Sequence, residues 1–292
     1  MAGFPHFEAP SALDYFAALV AEDEGFPLLE AAVSLAQDEH PQLDVQALLS
    51  EVDALAMRLR RRIPADAAPL QRLRLLNRFF FQELGFAGNV NHYFDRANSD
   101  ISEVLRSRRG IPISLAVLYL ELAGHAALDA HGVSFPGHFM VKLRLPMGAV
   151  MIDPFTGKSL SKEELEERLT PFRQAQYRQM HSAGSQPEDD EVPLALYLVP
   201  SGAREIIARM LRNLKEIHRA ALDWQRLTAV QRRLCLLLPQ AWEEYRDLAL
   251  ALAELGQLGQ AVAALQAYLL HRPQATDARV LRQHLQAWQA AS

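Results

Sequence analysis

Shifted by about 34 residues, the C-terminal part of the chain superimposes on itself: Leu214 falls on Leu248, Ile217 on Ala251, Trp224 on Leu258, Leu227 on Ala261, Leu234 on Tyr268 and Pro239 on Pro273. A repeat of that length is a pair of helices too small to bury its own apolar face, so successive units stack into an array. The segment ATDARVLRQHLQAWQA then reads as a trailing helix that caps the stack. Two units are few for independent stability, so the array is expected to lean on the rest of the chain.

The period is that of the tetratricopeptide repeat, and the second copy resembles it better, with Tyr245, Leu248, Gly256, Ala261 and Pro273 at signature positions. The first copy keeps mainly Leu214 and Pro239. At 292 residues the chain exceeds what one small core organises, which predicts two domains. The polar, acidic segment HSAGSQPEDDEVP supplies a junction. The expected division is 1–180 for the first domain, 181–193 for a linker and 194–292 for the helical-repeat domain.

Upstream, apolar residues recur every three or four positions from Ser11 to Phe86, with Pro27, Pro41, Pro64 and Pro69 near helix starts, giving about four helices before Gly85. GFAGNVNHYFDRANSD reads as an ordered loop, and ISEVLRSRR as a short helix capped by Asn98 or Ser99. IPISLAVLYLELAG is apolar throughout, so a buried helix is expected from Pro112. The segments HGVSF, FMVKLRL and AVMID have strand spacing, and the last two flank a turn at Pro146-Met147-Gly148. Ser161 with Glu164 forms a capping box that restarts helix. The expected first domain is therefore α+β, with N-terminal helices and a small antiparallel sheet.

Composition narrows the function classes. Hydrophobic residues make up 50% of the chain and charged ones 22%, which is globular rather than disordered. Acids outnumber bases, 35 to 30, so the dense basic face that nucleic-acid binding needs is not expected. The basic runs Arg58–Arg62 and Arg106–Arg109 read as solvated helix ends. The first twelve residues lack the basic start and apolar stretch of a secretory signal, and no apolar run has the length of a membrane span. The single cysteine, Cys235, excludes an internal disulfide and suits a reducing, cytoplasmic setting; in RRLCLLLP it reads as a packed core residue. The ten histidines show no metal-ligand spacing, and no glycine-rich phosphate cradle is present, so neither metal nor cofactor is expected.

Nucleophilic catalysis needs a hydroxyl or thiol, a base within hydrogen-bond reach and a third group that orients the base. Ser114 falls in the first turn of the expected buried helix, where unpaired amides can stabilise negative charge. His138, in FPGHF, opens one strand of the hairpin, and Asp153, in MIDPF, closes the next. With the turn centred between Pro146 and Met147, His138 opposes Phe155, and Asp153 lies diagonally on the same face of the sheet. Asn89, Asn91, Tyr93 and Arg109 are candidates for lining a substrate or partner cleft, against the plainer roles of loop fixation and a solvated arginine. Ser114 as a helix cap and His138 as a strand-binding structural histidine are the plainer alternatives for the triad.

GNVNHYFDRANSDISEVLRSRRGIPISLAVLYLELAG, GVSFPGHFMVK and MIDPFTG resemble the bacterial SirB family of transglutaminase-like proteins, closely over residues 80 to 160. The upstream helices, the RMLRNLK stretch and the repeat region follow the same family plan. The resemblance implies a papain-like α+β core in which active transglutaminase relatives place Cys, His and Asp; carried over by motif, those places are Ser114, His138 and Asp153. The departure is the nucleophile, because a thiol ionises ahead of attack and a serine depends wholly on its base. Three functions follow as expectations, the third a regulatory scaffold in a gene-control or stress pathway that never touches DNA itself. One is a pseudoenzyme scaffold that binds a peptide or protein through its cleft and the helical-repeat groove, without nucleic acid or membrane. Another is a serine-dependent amidase, protease or acyltransferase using Ser114, His138 and Asp153. Residue pattern says nothing about oligomeric state.

Overall fold

Helix formation at the start of the chain follows local capping chemistry. A computed structural model describes residues 10–22, 25–180 and 192–291. The first helix, α1 (Ala12–Leu19), begins where Ser11 and Asp14 cap each other reciprocally. α2 (Leu28–Ser34) follows Pro27 and tightens into a 3-10 turn over Leu35–Asp38. α3 (Val45–Arg60) starts at Asp44, whose carboxylate accepts from the Ala47 amide, and α4 (Pro69–Asn77) carries proline in its first turn. A π-helical turn, Arg78–Glu83, prolongs α4 and buries Phe79 and Phe80.

Among the described residues, those up to Leu43 form one compact unit with those from Ile207 onward, and Asp44–Ile206 form the other. The expected division is 1–180 and 194–292; within the first of these two compact units, a buried cation joins the N-terminal helices to a later helix. α9 (Ala203–Ala220) is followed by α10 (Trp224–Leu237), against which α1 packs. Arg233 of α10 is 1% exposed; its guanidinium meets Asp38 at 3.0 Å and the Ser34 carbonyl at 3.4 Å, above the Phe16 ring. A charge so buried persists only where it is paired, so it ties the N-terminal helices to α10. The expected linker, 181–193, lies outside the described residues apart from Val192 and Pro193.

The same unit continues through α11 (Trp242–Glu254), α12 (Leu258–His271) and α13 (Ala278–Ala291), packed around Ala249, Leu265, Tyr268 and Leu281. Polar groups link these helices too. Lys215 of α9 lies 2.6 Å from both Glu244 and Asp247, and Arg246 joins Asp247 to Asp277. Cys235 is buried, and desolvation, aided by Glu244, pushes its thiol up to about 12, which makes it an inert packing residue.

The Asp44–Ile206 unit is built on a four-stranded antiparallel sheet in the order β3 (Asp129–Val133), β4 (Met140–Leu145), β5 (Gly148–Ile152), β6 (Ser159–Leu160). It also contains a two-residue parallel pair, β1 (Ala87–Gly88) with β2 (Arg109–Gly110). The β4–β5 register places Val141 opposite Ile152 and Leu145 opposite Gly148, as the turn-centred sequence arithmetic requires. α5 (Ile101–Ser107) precedes the apolar helix α6 (Pro112–His125), which packs on β3 and β4. Asp100, rather than Asn98 or Ser99, caps α5 by accepting from Ser102 and Glu103. α7 (Lys162–Met180), started by the Ser161–Glu164 box, and α8 (Leu194–Tyr197) cover the sheet face that carries Val133, Met140 and Met151. Alternation along β4 and β5 turns the buried Val141, Leu143 and Ile152 to the opposite face.

Candidate functional site

The start of α6 is organised by a loop that folds over it. β1 and β2 bring residues 87–88 alongside 109–110, and the Gly88 amide donates to the Phe155 carbonyl at 2.8 Å. A Cβ at Gly88 would run into the Phe155 ring, so this crossing requires glycine. Beyond it, Asn98 holds the loop together from a position 2% exposed. Its amide nitrogen donates to the carbonyls of His92 (2.6 Å) and Tyr93 (3.1 Å), and its side-chain oxygen accepts from Asn89 at 2.9 Å.

Ser114 is the third residue of α6 and is fully buried. Its hydroxyl donates to the Asn98 carbonyl at 2.6 Å, with the Ile111 carbonyl a second acceptor at 3.0 Å, and accepts from the Ile111 amide at 3.2 Å. Serine thus satisfies the amide at the helix start and pins the loop, so its oxygen is occupied on both sides. Gly110 closes in from one side, since a Cβ there would lie 2.7 Å from Ser114 Oγ.

His138 and Asp153 meet. They flank the strands, His138 two residues before β4 and Asp153 directly after β5, and Nε2 of the imidazole lies 2.8 Å from Asp153 Oδ1. The bond joins Nε2 to the carboxylate, and the His138 side chain is 20% exposed. Burial pushes the Asp153 carboxyl upward. The hydrogen bond and charge of His138, the Phe155 amide at 2.9 Å and the Arg168 guanidinium at 3.4 Å outweigh that, holding it below the usual carboxylate range.

The expected convergence of three groups is therefore met by two. No hydrogen bond joins Ser114 to His138; the serine faces the loop main chain beneath α6, and the His138–Asp153 pair joins Arg168 of α7. Asn89 is tied to Asn98 and accepts from the His92 amide. Asn91 is exposed. Tyr93 is half-exposed, its ring 5.8 Å from that of Phe155. Arg109 donates to the Gly85 and Arg108 carbonyls and so fixes main chain. Sequence reasoning passed over Asn98, Phe155 and Arg168 as parts of this region. Asn98 carried a weak signal, as an asparagine beside a helix start, but that signal pointed to capping. Among the described residues, no group of three or more His, Cys, Asp or Glu side chains is placed to hold a metal ion, and no helix is long and apolar enough to cross a membrane.

Residues 46–212 match the Transglutaminase-like superfamily, and residues 214–286 match the Tetratricopeptide repeat. The chain is 36% identical over 265 residues to a UPF0162 protein of Xylella fastidiosa (strain Temecula1 / ATCC 700964), with 90% of each covered. It therefore belongs to the transglutaminase-like superfamily and, within it, to the UPF0162 proteins. It is also 36% identical over 107 residues to F-box only protein 21 of Homo sapiens, covering 33% of this chain and 17% of that one. A crystal structure of menin aligns over 88% of this chain and 68% of that one at 11% identity, with a TM-score of 0.37. By its own elements and the two family matches, the chain is mostly helical with a small antiparallel sheet, a transglutaminase-like domain followed by tetratricopeptide-like repeats.

Proposed function

We propose that this chain is a non-catalytic, protein-binding member of its superfamily, a reading that extends the SirB resemblance to a scaffold role. The observation that carries it is the state of the Ser114 hydroxyl: buried, donating to the Asn98 carbonyl and without a bond to His138. Attack on an acyl carbon needs that oxygen free beside a base, with room for the substrate. Binding is supported by the loop above it. Val90 and Phe94 are 76% and 87% exposed, and Tyr93 40%, on a segment that Asn89 and Asn98 hold rigid. Rigid aromatic side chains lose little entropy on contact and are frequent anchors of interfaces. Tetratricopeptide-type helices commonly offer a second surface for peptide or protein partners.

The serine-hydrolase reading retains one favourable observation, the His138–Asp153 bond, which would orient an imidazole base. It requires Ser114 to leave Asn98 and turn to the imidazole. The test is labelling by a fluorophosphonate probe. The scaffold reading expects no labelling above background in either the wild type or Ser114→Ala, together with loss of specific partners when Val90 and Phe94 are both replaced by serine. Labelling of the wild type that disappears in Ser114→Ala would establish the enzyme instead.

A further inference from the structure

A cavity lies on the sheet face covered by α7 and α8, and its lining includes none of Ser114, His138 and Asp153. It has a volume of about 650 Å³ and an apolar wall formed by Met151, Leu160, Leu165, Leu194 and Leu198. That size is usual for small-molecule sites, roughly 300–1,000 Å³. Its rim is cationic. Lys142 projects from the middle of β4, half-buried, and uses one of its three donors on the Leu198 carbonyl at 3.0 Å. Lys162, at the start of α7, also lines the cavity. Among the described residues, no carboxylate forms an ion pair with either lysine.

Two acids stand near the rim: Glu163, beside Lys162 in sequence and itself fully exposed, and Glu166, which also lines the cavity. Glu166 is held by Arg173 at 2.7 Å. On the neighbouring strand, Asp129 lies 2.6 Å from His131 and 3.9 Å from Arg144. A half-buried ammonium without a counter-carboxylate, above an apolar wall, is poorly solvated on one side and uncompensated on the other. A ligand that completes both must carry an apolar body and one negative charge. We propose that this cavity binds an amphiphilic carboxylate, with its apolar body against Met151 and Leu165 and its carboxylate between Lys142 and Lys162. This assignment is independent of whether the chain is catalytic.

The test is a titration of the whole chain with laurate, below its micellar concentration, followed by isothermal calorimetry and by the methyl signals of labelled methionines. The expected result is one saturable site, with the Met151 methyl shifting while that of Met147, 99% exposed, stays still. Dodecanol, with the same body and no charge, should bind at least about tenfold more weakly, and acetate should not bind detectably. Lys142→Met, which keeps the stem, should weaken laurate about tenfold or more. Lys162→Ala, at an exposed position where folding is safe, should weaken it about threefold or more. Equal affinity for dodecanol, insensitivity to both lysine substitutions, or a titration that moves Met147 and not Met151 would overturn the proposal. So would a cavity that accepts laurate only after Glu188, Asp189, Asp190 and Glu191 are replaced by their amides, since the chain's own acidic segment would then be the occupant.

Discussion

Replacing Ser114 with alanine removes one hydroxyl, and the structure gives the cost. Two hydrogen bonds are lost: the one donated to the Asn98 carbonyl at 2.6 Å and the one accepted from the Ile111 amide at 3.2 Å. The two orphaned groups retain only each other, at 3.4 Å. At about 1 kcal/mol for each hydrogen bond, less about 0.5 kcal/mol returned by alanine's better helix propensity, the expected loss is about 1–2 kcal/mol. Tryptophan fluorescence would miss it, because Trp224, Trp242 and Trp288 all lie in the other unit. Native-state hydrogen exchange of the α6 amides reads it directly: protection should fall by about five- to thirtyfold, through local opening of the helix start. Protection unchanged within about twofold would refute the reasoning, since a nucleophile poised in an open cleft contributes nothing to the helix that carries it.

Three further outcomes follow from the same contacts. Gly88→Ala forces a methyl group into the Phe155 ring and should cost about 1–3 kcal/mol, visible as a lower unfolding midpoint in urea. The Asp153 carboxyl is held below its ordinary range, so its stabilising contribution is fully present above the unfolded carboxylate value of about 3.9 and is lost as pH falls through the lower folded value. Asp153→Asn should therefore flatten the acid limb of a stability–pH profile, and an unchanged limb would contradict the assignment. Arg233→Ala removes the buried cation that pairs with the partly exposed Asp38 and leaves space beside Phe16, so it should destabilise the unit containing α10 by about 1–3 kcal/mol, measured by tryptophan fluorescence in urea.

Local rules in the sequence were enough for much of this architecture. The Pro146-Met147 turn fixed the β4–β5 register because a hairpin's pairing follows from its loop, and Val141 does face Ile152. The Ser161–Glu164 box and the start of α6 at Pro112 were legible because caps are decided within a few residues. What escaped depended on distant partners. Periodicity shows that Phe16 and Val33 are buried but not against which helix, and Arg233 gave no hint that it would be buried by Asp38. A serine in a first helical turn has the same local pattern whether its hydroxyl faces a cleft or, as here, the carbonyl of Asn98 sixteen residues earlier. Asn98 read as a helix cap because asparagine suits that place, yet its side chain bridges the preceding loop while Asp100 caps α5.

The central claim is that the oxygen at position 114 is a structural group with no access to an incoming molecule. The direct measurement is thiol alkylation of Ser114→Cys in a Cys235→Ala background, which leaves one thiol in the chain. Under native conditions the thiol should react at least about a hundredfold more slowly than in urea, in step with local opening of α6. Alkylation as fast as in the unfolded chain, or faster and dependent on His138, would mean that the sulfur sits in an open site beside a base, and the scaffold account would be wrong.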